Sequence, residues 1–199
     1  MKTANLEKPV LTMPEDAQRV LRKHYDAASV ILEYGSGGST VVAGEMESKK
    51  VFSVESDRSW ARMMRRWFRE NPPNTGTEVN ISWVDVGETK KWGFPVNQEK
   101  SARYPRYPLS IWQSKGFKHP DVVLVDGRFR VGCALATAFN ITRPVTLLLD
   151  DYGDRPRLQA AEEFLPKPEL VGRMAIFQIE PMQIPADRLI RVIRLLTLP

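Results

Sequence analysis

The chain has 199 residues, of which 42% are hydrophobic, 9% aromatic and 27% charged. These proportions fit one well-cored soluble domain over 1–199 and exclude a disordered tail or a disulfide miniprotein. The single cysteine, Cys133, excludes an internal disulfide, a zinc ribbon and dithiol redox chemistry, and a net charge of +5 admits an anionic partner without requiring one.

In chain order, Pro14 to Ala27 places apolar residues at helical spacing, with Thr12 available as a cap and Pro14 suited to a first turn. Short β-rich runs follow at Ser29 to Glu33, Lys50 to Glu55, Glu78 to Val86, Asp121 to Asp126 and Val145 to Asp150. Helical segments are expected between them at Thr40 to Met46, Ser59 to Glu70, Val131 to Asn140 and Arg155 to Leu165, which makes a βαβ rhythm and a mostly parallel, doubly wound sheet. Leu170 to Ile179 and Leu189 to Leu198 have strand character with no convincing helix between them, so they are expected to close the sheet as an antiparallel C-terminal pair. The segment from Glu88 to Pro120 is too long for an ordinary connection and reads as a lid or recognition insertion. Apolar stretches are broken well short of the roughly 20 residues a membrane span needs. Met1 to Pro9 has no apolar signal core, so no membrane attachment and a cytoplasmic location are expected.

Glu33-Tyr34-Gly35-Ser36-Gly37-Gly38-Ser39-Thr40 joins the first strand to a helix. Glycine there lets backbone amides approach a ligand, although a tight turn without a ligand would look the same. Glu55 closes the second strand twenty residues after Gly35, where a carboxylate can accept both ribose hydroxyls of a nucleotide. Thr40 stands where a dinucleotide fingerprint would place its third glycine, and an acid precedes the first glycine, so the pattern favours a cationic ligand over NAD.

With its acid-x-Gly-x-Gly motif, Glu33-Tyr34-Gly35-Ser36-Gly37, followed in order by Glu55 and Asp85, the chain resembles the class I, seven-stranded, Rossmann-like S-adenosylmethionine-dependent methyltransferases over nearly its whole length. The resemblance implies that Glu33, Gly35, Ser36, Gly37, Glu55 and Asp85 bind the methyl donor, with Glu55 at the ribose, Asp85 beside the adenine and Asp126 near the reacting end. Each acid also has a plainer reading: Glu33 as a turn cap, Glu55 as a solvated strand end, Asp85 as an Asx turn before Gly87.

Asp126-Gly127-Arg128 and Asp150-Asp151-Tyr152 end the fourth and fifth strands, so three carboxylates can converge although they are distant in sequence. Such a set suits a hard cation such as Mg²⁺ that activates a hydroxyl. The layout resembles metal-dependent O-methyltransferases, which implies Asp126, Asp150 and Asp151 as metal ligands. Where the catechol type carries a lysine base, this chain has Arg128, Phe129 and Arg130, and arginine does not accept protons. Asp126, Asp151 and Tyr152 are then the candidate catalytic groups, with Arg128 and Arg130 gripping an anionic acceptor. The competing reading has the aspartates capping helices or pairing with Arg128, Arg130 or Arg155. Trp92, Tyr104 and Tyr107 stand among lysines and arginines in the insertion and are candidate acceptor contacts, or packing that holds the segment down. The sequence thus points to methyl transfer to a small, oxygen-bearing acceptor. An RNA-modifying enzyme using the basic aromatic loop and an inactive methyltransferase-like binding protein stay open beside it.

Overall fold

Val122–Val125 is apolar at every position, and in the computed structural model, which describes residues 6–199, all four side chains are buried at the centre of a seven-stranded sheet. A parallel strand covered on both faces requires that pattern. Residues 1–5 of the segment read as lacking a signal core lie outside the described residues. The strands are β1 (Val30–Tyr34), β2 (Lys50–Glu55), β3 (Glu78–Trp83), β4 (Val122–Val125), β5 (Val145–Leu149), β6 (Glu169–Val171) and β7 (Met174–Ile179). Their spatial order is β3-β2-β1-β4-β5-β7-β6, with β1 to β5 parallel and β7 antiparallel to both its neighbours. The order reverses between β1 and β4, so the loops that leave these two strands face each other across a topological switch point, where ligands of open α/β sheets bind.

Period-two alternation divides the core. Leu32, Tyr34, Val123 and Val125 face one layer, which contains α5 (Arg130–Asn140), while Ile31, Val122 and Leu124 pack with Leu21 and Tyr25 of α1 (Glu15–Ala27) on the other. Helices α2 (Gly38–Gly44) and α3 (Arg58–Glu70) follow β1 and β2 in the expected βαβ manner, and Asp57 caps α3 by accepting from Trp60 N–H at 2.8 Å. Pro14, not Thr12, occupies the N-cap position of α1, and no side chain caps that helix. Cys133 is buried core filling, as its sequence context implies. Among the described residues no helix is long and apolar enough to cross a membrane.

Three expectations need correction. Leu189–Leu196 is a helix, α6, with Val192 and Leu195 buried. Its apolar residues satisfy a period of three to four as well as a strand pattern, and Gly132 lets it approach α5 closely, since a Cβ there would lie 2.9 Å from Leu196 Cα. The antiparallel terminal pair is instead the β6–β7 hairpin, which turns at Gly172 with φ +56° and falls within the expected run Leu170 to Ile179. Pro156–Glu163 is a 3₁₀ helix and not an α-helix.

The third correction concerns the insertion. It begins with a two-residue ribbon pairing Thr89–Lys90 with Phe94–Pro95, then runs through a short helix, α4 (Arg106–Leu109). Tyr104, Tyr107 and Ile111 are buried in the same core as α5, and Tyr34 Oη donates to Pro108 O at 2.7 Å. Its second half is therefore part of the core and not a lid. Tyr107→Ala should cost about 3–5 kcal/mol, the usual range for removing a buried aromatic, and urea denaturation would read this directly. Deleting 93–114 should leave no folded protein.

Candidate cofactor and acceptor site

The loop after β1 is shaped by close contacts that only glycine permits. Gly35 adopts φ +105°, and a Cβ there would lie 2.8 Å from Gly127 N. It therefore brings the β1 loop against the loop that follows β4. At Gly37 a Cβ would meet nothing within 4 Å, so the backbone there borders open space. Ser36 is held on three sides: its N–H donates to Glu55 Oε2 at 3.1 Å, its hydroxyl shares a 2.7 Å hydrogen bond with Ser53, and its carbonyl accepts from Trp60 Nε1 at 2.7 Å.

Glu33 lies beneath this loop and not in it. It is fully buried, with Oε1 accepting from Tyr25 Oη at 2.7 Å and Oε2 from Thr40 Oγ1 at 2.6 Å; Thr40 Oγ1 in turn accepts from Gly37 N at 2.9 Å. Burial pushes the Glu33 carboxyl above its ordinary range against the pull of these hydrogen bonds. Both Glu33 oxygens are thus taken up inside the protein, and through Thr40 the carboxylate fixes the amide of Gly37. Thr40 itself is fully buried, filling the place where a third glycine would let a dinucleotide loop close on its helix.

Glu55, also nearly buried, accepts from Ser56 N at 2.7 Å and Asp57 N at 2.8 Å on Oε1, while Ser36 N is the partner of Oε2. Burial raises its pKa, opposed by these backbone donors. Gly93 packs over Oε1, where an added Cβ would stand 3.2 Å away, and its carbonyl accepts from Ser56 Oγ at 2.9 Å. Oε1 is thus occupied by backbone donors, and Oε2, with Ser36 N as its one partner, is the oxygen that retains free acceptor capacity. Asp85 makes the Asx turn, accepting from Gly87 N at 2.9 Å, and pairs with Arg103. It borders a polar cleft of about 390 Å³ together with Ser56, Arg58 and Trp83.

At the other end of the switch point, Asp126, Asp150 and Asp151 converge with ligand oxygens within 4.8 Å of one another. Each is already matched by guanidinium. Arg173 grips fully buried Asp150 with Nε at 2.9 Å and Nη2 at 2.6 Å, and reaches Asp151 at 3.3 Å. Arg155 pairs with Asp151 at 2.7 Å, and Arg130 bridges Asp126 at 3.1 Å and Asp151 at 3.0 Å. Three arginines balancing three aspartates do not fit a divalent cation, which needs the same lone pairs and the uncompensated charge. Asp151 sits at φ +58°, a left-handed conformation that turns it into this network.

Other candidates are placed differently from the sequence expectation. Tyr152 is buried on Phe177 at 5.7 Å between ring centroids and donates its hydroxyl to Glu162, which together with burial pushes its pKa far above its ordinary value; it packs the core. Arg130 is buried and anchored to the carbonyls of Gly127 at 3.0 Å and Asp126 at 2.9 Å, so it is not free to grip an acceptor. Tyr104 and Tyr107 pack on Phe129 at 5.0 and 5.4 Å. Trp92 alone of the candidate aromatics is exposed, with φ +65° and Lys91 over its ring at 5.3 Å. Arg128 lies beside the β4 loop with its guanidinium 5.7 Å from the Phe94 ring. Arg173 and the α1 residue Tyr25 are the partners that sequence reasoning missed.

Asp126 keeps one open edge. Oδ1 accepts from Arg130, Oδ2 has no hydrogen-bond partner among the described residues, and the side chain is 36% exposed. Desolvation, reinforced by Asp150 and Asp151, pushes its carboxyl up to about 7 against the pull of Arg130 and Arg173.

No protein-family model matches the chain, and no curated protein does. Among solved structures, a methyltransferase-like protein from Silicibacter pomeroyi is 60% identical, with 96% of this chain and 99% of that one covered at a TM-score of 0.94. Cofactor-bound Rv0187 from MTB (16% identity, 87% and 84% covered, TM-score 0.54) shares the fold, as does an SAH-bound methyltransferase from Podospora anserina (11%, 85% and 80%, 0.53). Sheet order, glycine loop and this extended identity agree: the chain belongs to the class I, Rossmann-like S-adenosylmethionine-dependent methyltransferase family.

Proposed function

We propose that this protein transfers a methyl group from S-adenosylmethionine to an oxygen of a small acceptor, without a metal. The observation that carries the reading is the direct bond from Ser36 N–H to Glu55 Oε2, which joins the glycine loop to the strand-two acid and leaves that oxygen able to accept a ribose hydroxyl. The cofactor seen in the Podospora methyltransferase, SAH, is the product of that donor and supports the same ligand class. Gly35, Ser36 and Gly37 would border the donor's amino-acid end, Asp85 its base, and Glu33 would act through Thr40 as a positioning residue.

When bound, S-adenosylmethionine supplies an electrophilic methyl on a sulfonium. The chain's own contribution is alignment and a proton acceptor. Asp126 is that acceptor: its Oδ2 is open, desolvation together with Asp150 and Asp151 pushes its carboxyl up to about 7, and Arg130 holds the other oxygen and the Gly127 carbonyl. Arg173 and Arg155 hold Asp150 and Asp151 as a neutralised floor. Phe129, fully buried, helps to keep water from the inner side of the loop.

Calorimetry with S-adenosylmethionine, its demethylated product and NAD tests the reading. Both sulfur ligands should bind and NAD should not; comparable NAD affinity would move the assignment to an oxidoreductase. Glu55→Ala should weaken donor binding by about 1.5–3 kcal/mol through loss of a charge-assisted hydrogen bond. The same change should lower Tm, because Ser36, Ser56 and Asp57 lose their common acceptor.

A further inference from the structure

Helix α3 carries five arginines against one glutamate, so a single helix supplies four of the chain's five net positive charges. Arg66 pairs with Glu70 at 2.7 Å. The other four, Arg58, Arg62, Arg65 and Arg69, recur at i, i+4, i+7 and i+11, which at 3.6 residues per turn puts them within an arc of about 60° and along about 17 Å of helix. All four are exposed, and none pairs with a carboxylate among the described residues. Like charges at these spacings destabilise a helix, and a face that only meets water is ordinarily laced with acid–base pairs, so the helix's own stability does not account for the row.

The row lies over β3, the outermost strand on that side of the sheet: Arg65 Nε donates to Ile81 O at 2.8 Å, and the Arg58 guanidinium stands 5.1 Å from the Trp83 ring. These contacts order two of the four side chains, and neither uses an Nη donor. Beyond Arg58 the basic surface continues onto the ribbon. Thr89 borders the same cleft as Arg58 and donates its hydroxyl to Asp57 Oδ2 at 3.4 Å, and Lys90, Lys91 and Trp92 at the ribbon's turn are all exposed. Trp92 is 73% exposed and held at φ +65°, a conformation that bulky side chains seldom adopt. The acids at this end are Asp57, Asp85 and Glu88; Asp57 caps α3 and Asp85 pairs with Arg103.

We infer that this outer edge, from Arg69 along α3 to Trp92 on the ribbon, binds the phosphate backbone of a single-stranded nucleic acid, with Trp92 as a stacking platform for a base. Guanidinium forks match phosphate bidentately, which the point charge of a lysine does not. A row one side chain wide follows one strand, and an exposed aromatic ring at its end is what sequence-tolerant single-strand binding uses. An anionic membrane would call for apolar side chains beside the arginines, and the arc holds none. β3 and β4 stand three places apart in the sheet, so the surface leaves the acceptor side at Asp126 free. Binding here needs no methyl donor and is independent of the methyl-transfer reading.

The test is fluorescence anisotropy of labelled single-stranded RNA and DNA of mixed sequence, about twelve nucleotides long, titrated with the full chain over a salt series starting at about 50 mM. The wild type should saturate in the micromolar range at the lowest salt, and log affinity should fall with log salt at a slope of at least about −2.8, four phosphates' worth for a single strand. Arg62→Gln/Arg69→Gln changes two exposed side chains and should bind at least tenfold more weakly, with the slope shallower by about 1.4. Arg19→Gln/Arg22→Gln on α1 removes the same charge from another exposed surface and should bind as the wild type does. Trp92→Ala should lose several-fold affinity with an unchanged slope, because stacking releases no counterions. Equal affinity for RNA and DNA assigns recognition to the backbone, and a preference for RNA adds the 2′-hydroxyl. Failure to saturate at low salt, or an equal loss in the α1 and α3 variants with thermal denaturation showing both folded, overturns the site. A polyglutamate peptide bound as tightly makes the partner an acidic protein, and a duplex bound as tightly with no effect of Trp92→Ala removes the single-strand assignment.

Discussion

Arg173→Ala is expected to destabilise the protein by about 3–5 kcal/mol, the cost of leaving a buried charge without its partner. Asp150 is fully buried, and Arg173 supplies hydrogen bonds to both of its oxygens. Pairing Arg173→Met with Asp150→Leu should recover most of the loss, because it removes both the buried charge and the need to neutralise it. A divalent-cation site predicts the opposite pattern. Were the three aspartates metal ligands, Arg173→Ala would free them, and millimolar Mg²⁺ would restore Tm; under the ion-pair network Mg²⁺ does nothing to wild type or variant. Thermal denaturation of the three proteins with and without Mg²⁺ separates the two.

The arginine that decides this question shows why the acidic cluster was only half legible. The convergence of Asp126, Asp150 and Asp151 follows from their places at the ends of adjacent parallel strands, and strand ends can be read from short apolar runs. Arg173 is different. It reaches the cluster because β7 runs antiparallel to β5, pairing Leu149 with Ala175 and so setting the hairpin turn beside Asp150. No local pattern around Gly172-Arg173 carries that register; it depends on which edge of the sheet the hairpin takes. Arg155, four residues from Asp151, could be named from spacing alone.

The same distinction runs through the rest of the chain. The glycine loop, Glu55 and the five parallel strands are local signals in which composition and period agree, and they stand within a residue or two of where the sequence puts them, apart from β3, which stops at Trp83. Leu189–Leu196 was ambiguous because nearly every position is apolar or arginine, a composition that suits a strand or a helix until a partner is known; α5, with Gly132 at the crossing, provides that partner. Tyr104 and Tyr107 looked like ligand contacts because they are interleaved with basic residues. An aromatic residue in an insertion is equally an anchor, and here Phe129 and Tyr34 receive them. Glu33 illustrates a third case: the motif lies at the end of β1, but Tyr25 from α1 closes over its acid, whose second oxygen faces Thr40, and no local pattern in the sequence carries that contact.

Asp126→Asn should lower methyl transfer by about 10²- to 10⁴-fold, the range for losing a general base. Donor binding should change little, since Glu55 and the glycine loop are untouched. In the wild type, kcat/KM should rise with pH and level off above about 7, because the ionised form of Asp126 is the active one. Arg130 and Arg173 draw that pKa down while Asp150 and Asp151 hold it up, so Asp151→Asn should move the inflection to lower pH. Stability runs in the opposite direction. A carboxyl whose pKa rises on folding from 3.8 to about 7 binds more protons in the native state between those values, so this group's contribution falls as pH rises across that window and is constant above it. Burial raises the carboxyls of Glu33 and Glu55 in the same sense, and only the difference between wild type and Asp126→Asn isolates this one. The variant should therefore lose less stability than the wild type between pH 5 and 7 while losing most of its activity throughout. A variant that keeps wild-type turnover with an unmoved pH profile would show that the proton leaves by another group. One that loses activity and stability together at every pH would make Asp126 a structural partner of Arg130 and nothing more.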